Sequence, residues 1–146
     1  MIVRPGTTPA LALGFCHVLL KEKRYDAEYI KRYTDLPLLV RMDTLQLLRP
    51  TDLQSDYQLA PLQNYIRVLK ADEPAPPPLQ QEAPIVREPL RQEWGDFMVW
   101  DSQTNRPVPL SRDDTGKLYE QKGIDAALEG SFTVRLVDGQ AVEVRP

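Results

Sequence analysis

The chain opens on residues whose types and order could receive a ligand. Ile2-Val3 reads as the end of a strand, Arg4-Pro5-Gly6-Thr7-Thr8 as a tight polar loop, and Pro9-Ala10-Leu11 as the first turn of an apolar helix. Thr8 has the chemistry of an N-cap, and Pro9 suits the first helical position, where its missing N–H would be unpaired anyway. A loop of small residues feeding a helix N-terminus offers free backbone N–H groups and the positive end of the helix dipole. α/β proteins hold phosphates and the polar edges of nucleotides in this way. Many strand-to-helix turns bind nothing, so the signal needs company.

Other reactive side chains are sparse. Cys16 is the only cysteine and His17 the only histidine. A single cysteine gives neither a disulfide nor a cluster for zinc or iron–sulfur, and beside Phe15, Val18 and Leu19 it is expected to be a buried, inert thiol. His17 has no second His or Cys to share a metal with, so a helix-packing role is expected. The carboxylates Glu93, Asp96, Asp101, Asp113 and Asp114 fall on strand ends and loops, where solvated turn positions are the expectation. No catalytic and no metal-binding residue is assigned.

The elements that must hold these groups follow from periodicity. Residues 9–23 read as a helix that is apolar nearly all round until Lys21-Glu22-Lys23, the pattern of a helix inside a layered domain. Gly14 in its middle suggests close approach to another backbone. Asp26 caps a second helix, Ala27–Tyr33, with Tyr29, Ile30 and Tyr33 on one face. Pro37 stops it, and residues 38–42 are extended. Residues 44–69 are irregular, expected as loop with short helical turns. Residues 71–90, with six prolines, read as an exposed, poorly ordered polyproline-like connector; an SH3-type ligand is the sharper alternative. Beyond Arg91 the pattern turns to strands. Phe97-Met98-Val99-Trp100-Asp101 is β-prone, and Ser102 begins a turn leading to Val108 and Leu110. Phe132, Val134 and Leu136 alternate before Asp138-Gly139, a two-residue hairpin signal, and Val142 and Val144 return on the same face.

Taken together, residues 8–49 resemble the catalytic subunits of the molybdopterin oxidoreductases, the dimethyl sulfoxide reductase superfamily. In that family a Pro-Gly-Thr-Asp loop precedes an Ala/Leu-rich helix with a His-Val pair, here His17-Val18, and a second short helix ends in a Tyr-Thr segment. Tyr33-Thr34-Asp35-Leu36-Pro37-Leu38-Leu39-Val40 and Leu48-Arg49 look most like the nitrate reductase alpha-chain branch. Phe97-Met98-Val99-Trp100-Asp101, Gly123-Ile124-Asp125 and Ala127-Leu128-Glu129-Gly130-Ser131-Phe132 are similar to the same large chains. The resemblance implies a bis(molybdopterin guanine dinucleotide) molybdenum cofactor and an iron–sulfur cluster elsewhere in the subunit. It also implies an iron–sulfur electron-transfer partner subunit and a small oxo-acceptor substrate. Carried over by position, Gly6, Thr7 and Thr8 are the cofactor-contacting residues. The family's third residue is typically Asp, whose carboxylate accepts from guanine; Thr8 keeps a neutral acceptor without charge assistance.

These family chains are several times longer than 146 residues, so the expectation is an internal fragment. Its fold class is α/β: a partial layered domain with an apolar N-terminal helix, a proline-rich connector and a C-terminal β-hairpin region. Residues 1–70 would belong to the cofactor-binding α/β domain, 71–90 to the connector and 91–146 to a β-rich segment. Two other functions stay open: a non-catalytic remnant or subunit-contact module, and a stand-alone nucleotide-binding domain. A formal charge of −3 with scattered Lys and Arg argues against a nucleic-acid surface. Residues 10–20 are about half the length of a membrane span. Periplasm and cytoplasm are both left open, as is membrane association through partner subunits.

Overall fold

The computed structural model describes residues 4, 6–62, 64, 66–81 and 83–146. The expected strand end at Ile2-Val3 therefore lies outside the described residues. The architecture is mixed α/β. In chain order the elements are α1 (Thr8–Lys21), α2 (Ala27–Tyr33), β1 (Val40–Arg41), α3 (Pro50–Leu53), β2 (Arg67–Leu69), a 3₁₀ turn (Pro78–Gln80), β3 (Ile85–Arg87), α4 (Glu88–Trp94), β4 (Phe97–Asp101), β5 (Arg106–Leu110), α5 (Lys117–Lys122), β6 (Phe132–Arg135) and β7 (Ala141–Arg145).

The strands form three small sheets: β1-β7-β6, β2-β3 and β4-β5. β4 is the centre of the molecule, with every residue buried. Alternation along a strand sends neighbours to opposite faces. Met98 and Trp100 join Leu39, Leu48, Val134, Leu136, Val142 and Val144 in one core, while Val99 joins Leu110, Tyr119 and Ala126 in another. The Trp100 indole stacks on the Phe132 ring at 4.1 Å and 8°, tying β4 to β6.

The β6–β7 hairpin pairs Phe132 with Val144 and Val134 with Val142, as the alternation requires. Its loop is one residue longer than the Asp138-Gly139 signal suggests. The Leu136 N–H donates to the Gln140 carbonyl at 2.8 Å, leaving Val137-Asp138-Gly139 as a three-residue loop. Gly139 takes φ +87°, the left-handed position that such a loop reserves for glycine.

Residues 71–90 are more structured than a polyproline spacer. They contain the 3₁₀ turn, all of β3 and the start of α4, whose first turn holds Pro89. β3 pairs in parallel with β2, so the prolines form the crossover between two strands. The Arg87 guanidinium gathers the loop by donating to the carbonyls of Lys70 (3.0 Å), Ala71 (3.4 Å) and Glu73. Proline spacing carries no signal for such a side-chain clamp. Two helices, α4 and α5, also interrupt what the sequence pattern presents as strands after residue 91.

α1 departs most from expectation. It is helical and apolar, but none of its residues is buried: Leu13, Phe15 and Leu20 are 70%, 60% and 63% exposed. Cys16 is exposed rather than buried, and His17 with it. No described atom lies within 4 Å of a Cβ added to Gly14, so no described backbone approaches there. The reason is common to all three: no described element packs a face against this helix.

A candidate cofactor turn and a buried charge network

The Gly6–Thr8 turn forms as a hydrogen-bonded reversal. The Thr7 N–H donates to the Arg4 carbonyl at 3.1 Å, and the Thr7 hydroxyl donates to the same oxygen at 2.6 Å. Gly6 sits at the third position of this turn with φ +83°, a conformation that costs L side chains roughly 1–2 kcal/mol. Thr7, not Thr8, occupies the N-cap position, and its side chain makes no cap hydrogen bond because its hydroxyl is spent on Arg4. Thr8 is the first helical residue.

The first helical hydrogen bond runs from the Leu11 N–H to the Thr7 carbonyl at 3.1 Å. By helix geometry the N–H groups of Thr8 and Ala10 therefore have no intrahelical acceptor, and Pro9 has none to leave unpaired. Both amides sit at the positive end of a 14-residue helix. Gly6, Thr7 and Thr8 are all exposed, and nothing lies within 4 Å of a Cβ placed on Gly6. An acceptor-rich group can reach this backbone without displacing any described atom. The turn thus fits the guanosine or phosphate end of a nucleotide-bearing cofactor in its donors, its polarity and its open side.

Of the scattered carboxylates Glu93 is exposed as expected and Asp114 is half-buried, but the other three are not solvated turn groups. Asp96, Asp101 and Asp113 are buried. Asp96 Oδ1 takes an ion pair from Arg91 Nη2 at 2.6 Å, and Oδ2 accepts from the Tyr57 hydroxyl at 2.8 Å and the Ala60 N–H at 2.9 Å. Arg91 also donates to the carbonyls of Gly95 (2.8 Å) and Ala60 (2.9 Å). Burial, then the Asp96 carboxylate beside it, hold the Tyr57 hydroxyl well above the usual tyrosine range. These contacts are internal, and they fasten residues 57–60 to α4 and to the residue that leads into β4.

Asp101 caps its own β-turn in the same way. It accepts from the N–H groups of Gln103 (3.2 Å), Thr104 (3.2 Å) and Asp125 (3.0 Å), and from the Thr104 hydroxyl at 2.5 Å. Burial pushes its carboxyl up, but the Thr104 hydroxyl and the three backbone donors together outweigh burial and hold it below the usual range. No group of His, Cys, Asp and Glu among the described residues could hold a metal ion. No described helix is long and apolar enough to cross a membrane.

The chain is mixed α/β, with a glycine turn ahead of its N-terminal helix. No protein-family model matches it. It is 37% identical over 147 residues to the perchlorate reductase subunit alpha of Dechloromonas aromatica, across 98% of this chain and 14% of that protein. It is 41% identical over 136 residues to the dimethylsulfide dehydrogenase subunit alpha of Rhodovulum sulfidophilum, across 92% of the chain and 11% of the relative. A 50-residue stretch is 48% identical to the respiratory nitrate reductase subunit alpha of Haloferax mediterranei, 34% of the chain and 5% of that protein. The chain belongs to the molybdopterin oxidoreductase alpha subunits of the dimethyl sulfoxide reductase family. It spans about a seventh or less of the length of these relatives.

Proposed function

We propose that these residues form part of the catalytic subunit of a molybdenum oxidoreductase carrying bis(molybdopterin guanine dinucleotide). That enzyme would pass electrons between iron–sulfur clusters and a small oxo-acceptor, in the manner of nitrate reductases. The observation that carries the reading is the near end-to-end similarity to an alpha subunit named for an oxyanion, perchlorate. The alpha designation of the relatives supports a multi-subunit assembly, with an iron–sulfur protein as the electron-transfer partner.

Within that cofactor, molybdenum supplies two-electron exchange with the substrate. This chain's own contribution is binding. The Thr8 and Ala10 amides would face the guanosine end, Gly6 would let the backbone come close, and the Thr8 hydroxyl would stand where the family's carboxylate accepts from guanine. Thr7 acts one step back, with its hydroxyl closing the turn on Arg4.

Thr8 separates binding from stability, because its side chain is not the cap. In the complete subunit, Thr8→Ala should change unfolding free energy by less than about 0.5 kcal/mol, as at ordinary surface sites, while lowering guanine-dinucleotide content. Thr8→Asp should hold or raise that content, since a charged acceptor contributes about 1.5–3 kcal/mol. Unchanged content in both variants would remove Thr8 from the site. A second reading, a subunit-contact module without cofactor contact, draws on the exposed apolar surface of α1. It predicts unchanged content in both variants.

A further inference from the structure

The two N-terminal helices meet the rest of the molecule through opposite charges. No residue of α1 or α2 is buried, so neither helix is held by a core of its own. Their cations reach across instead. Lys23 Nζ pairs with Glu129 at 3.0 Å, Lys31 Nζ with Asp125, and Arg32 Nη1 with Glu120 at 2.5 Å. The Tyr25 hydroxyl donates to Glu129 at 3.4 Å and the Gly116 N–H to the Arg32 carbonyl at 3.4 Å, both at the long limit of a hydrogen bond. Leu20, Tyr25 and Ile30 do approach Leu128, but around an open cleft of about 320 Å³ rather than in close packing.

The two sides of this seam differ in how they are anchored. The acidic side is tied to buried β4. The Asp125 N–H donates to Asp101 Oδ1 at 3.0 Å, and its carbonyl accepts from the Ser102 N–H at 2.8 Å. The Ala126 N–H donates to the Tyr119 hydroxyl at 3.0 Å and the Ala127 N–H to the Trp100 carbonyl at 2.8 Å. The basic side rejoins the core only at buried Pro37 and at Leu39, whose N–H donates to the Met98 carbonyl at 2.8 Å. Residues 34–36 make the join, and none of them is buried. Ion pairs between groups this exposed are individually weak and are screened by salt.

We propose that residues 8–33 are a strap, hinged at residues 34–36 and latched to the body by these three ion pairs, so that rising ionic strength releases it while the cores around β4 stay intact. The Gly6–Thr8 turn lies at the far end of the strap and travels with it. The inference stands on the contacts of α2 and the loop before it, and is independent of the cofactor reading.

The test is single-molecule energy transfer in the 146-residue chain, at picomolar concentration so that copies do not meet. One dye sits on Cys16, the only cysteine and an exposed one, and the other on a cysteine introduced by Gln103→Cys in the exposed turn after β4. Between 10 mM and 1 M NaCl the screening length falls from about 30 to about 3 Å. Over that range a high-efficiency population should give way to a low-efficiency one, with the amide protons of β4 and β7 still protected from exchange. Lys23→Glu/Lys31→Glu should open the strap already at 10 mM NaCl, and so should Asp125→Lys/Glu129→Lys. The four changes together re-form both pairs in reverse and should close it again. An efficiency that does not change with salt in the wild-type sequence would overturn the proposal. So would a four-change variant that stays open, or loss of β4 protection in step with the opening, which would mark unfolding rather than release. If a reversed variant does not fold by circular dichroism, the salt titration decides alone.

Discussion

Asp96 is a buried charge whose loss should be felt in stability. It is 1% exposed and has three partners, so removing its carboxylate strands the Arg91 guanidinium, itself 4% exposed, without a counter-charge. Breaking a buried pair in this way typically costs about 3–5 kcal/mol. Asp96→Ala should therefore lose that much in urea unfolding, while Glu22→Gln, which breaks an exposed pair with Arg24, should change stability by less than about 0.5 kcal/mol. Equal effects of the two would contradict the buried network. Tyr57 adds a pH dependence of definite sign. Its hydroxyl is raised above the ordinary value of 10.0, first by burial and then by Asp96. The folded state thus holds this proton more tightly than the unfolded chain. The stabilisation is complete below the unfolded tyrosine pKa of about 10 and is lost as pH rises beyond it. Between pH 9 and 11.5 the urea midpoint of the wild type should fall more steeply than that of Tyr57→Phe. At this scale the sequence was a poor guide. The acids at 96, 101 and 113 stand beside Gly, Trp and Arg in ordinary turn-like stretches, and only the fold brings Tyr57, Ala60 and Arg91 around Asp96. The single cysteine was read as buried because its neighbours are apolar, yet burial depends on what packs against the helix.

Secondary structure was legible where local chemistry decides it. Asp26 caps α2 as its type and position require, with the Tyr29 N–H at 2.9 Å from Oδ1. β4, β5, β6 and β7 follow from alternation and turn residues. What local chemistry leaves open was missed: β2 and β3 are each three residues long and exist because they pair with one another across a proline crossover. The hairpin loop was misread by one residue, because Asp-Gly suits a two-residue turn equally well. That loop makes its own prediction. A Cβ on Gly139 meets no atom within 4 Å, so its φ of +87° is the whole obstacle. Gly139→Val should lose roughly 1–2 kcal/mol through backbone strain, and Gly139→Asn, which tolerates the left-handed region, distinctly less. Equal losses would show that space rather than conformation limits the position.

At the scale of the molecule, one feature stands apart from a self-contained domain. α1 carries Leu13, Phe15, Val18, Leu19 and Leu20 at 46–70% exposure on a helix with no buried residue. Contiguous apolar surface of this kind marks an interaction face, and in isolation an association liability. The 146-residue chain should therefore sediment above its 16.7 kDa monomer mass. The double variant Leu13→Lys/Phe15→Lys should return it toward the monomer, and a monomeric wild type would contradict the claim that this face needs cover. The helix itself was plain from its hydrophobic run; its exposure was not, because the run fixes what the helix wants and not what these residues supply.

If the turn before α1 holds the guanosine end of a molybdenum cofactor, as proposed, Gly6 is the residue where that contact can be broken. Among the described residues a Cβ at Gly6 meets nothing within 4 Å. Any steric obstruction beyond the strain of φ +83° must then come from outside these residues, and thermal stability measured beside cofactor content separates a bound group from the rest of the subunit. In the complete subunit carrying this segment, molybdenum and guanine-dinucleotide content would be measured per protein for Gly6→Asn and Gly6→Val, alongside thermal unfolding. Asn accepts the left-handed backbone and so isolates the side chain's bulk. The account predicts that Gly6→Asn folds with nearly wild-type stability and loses most of its cofactor, with Gly6→Val losing both. A Gly6→Asn subunit that loads molybdenum and guanine dinucleotide to the wild-type level would make the turn a plain connector and contradict the assignment of Gly6, Thr7 and Thr8.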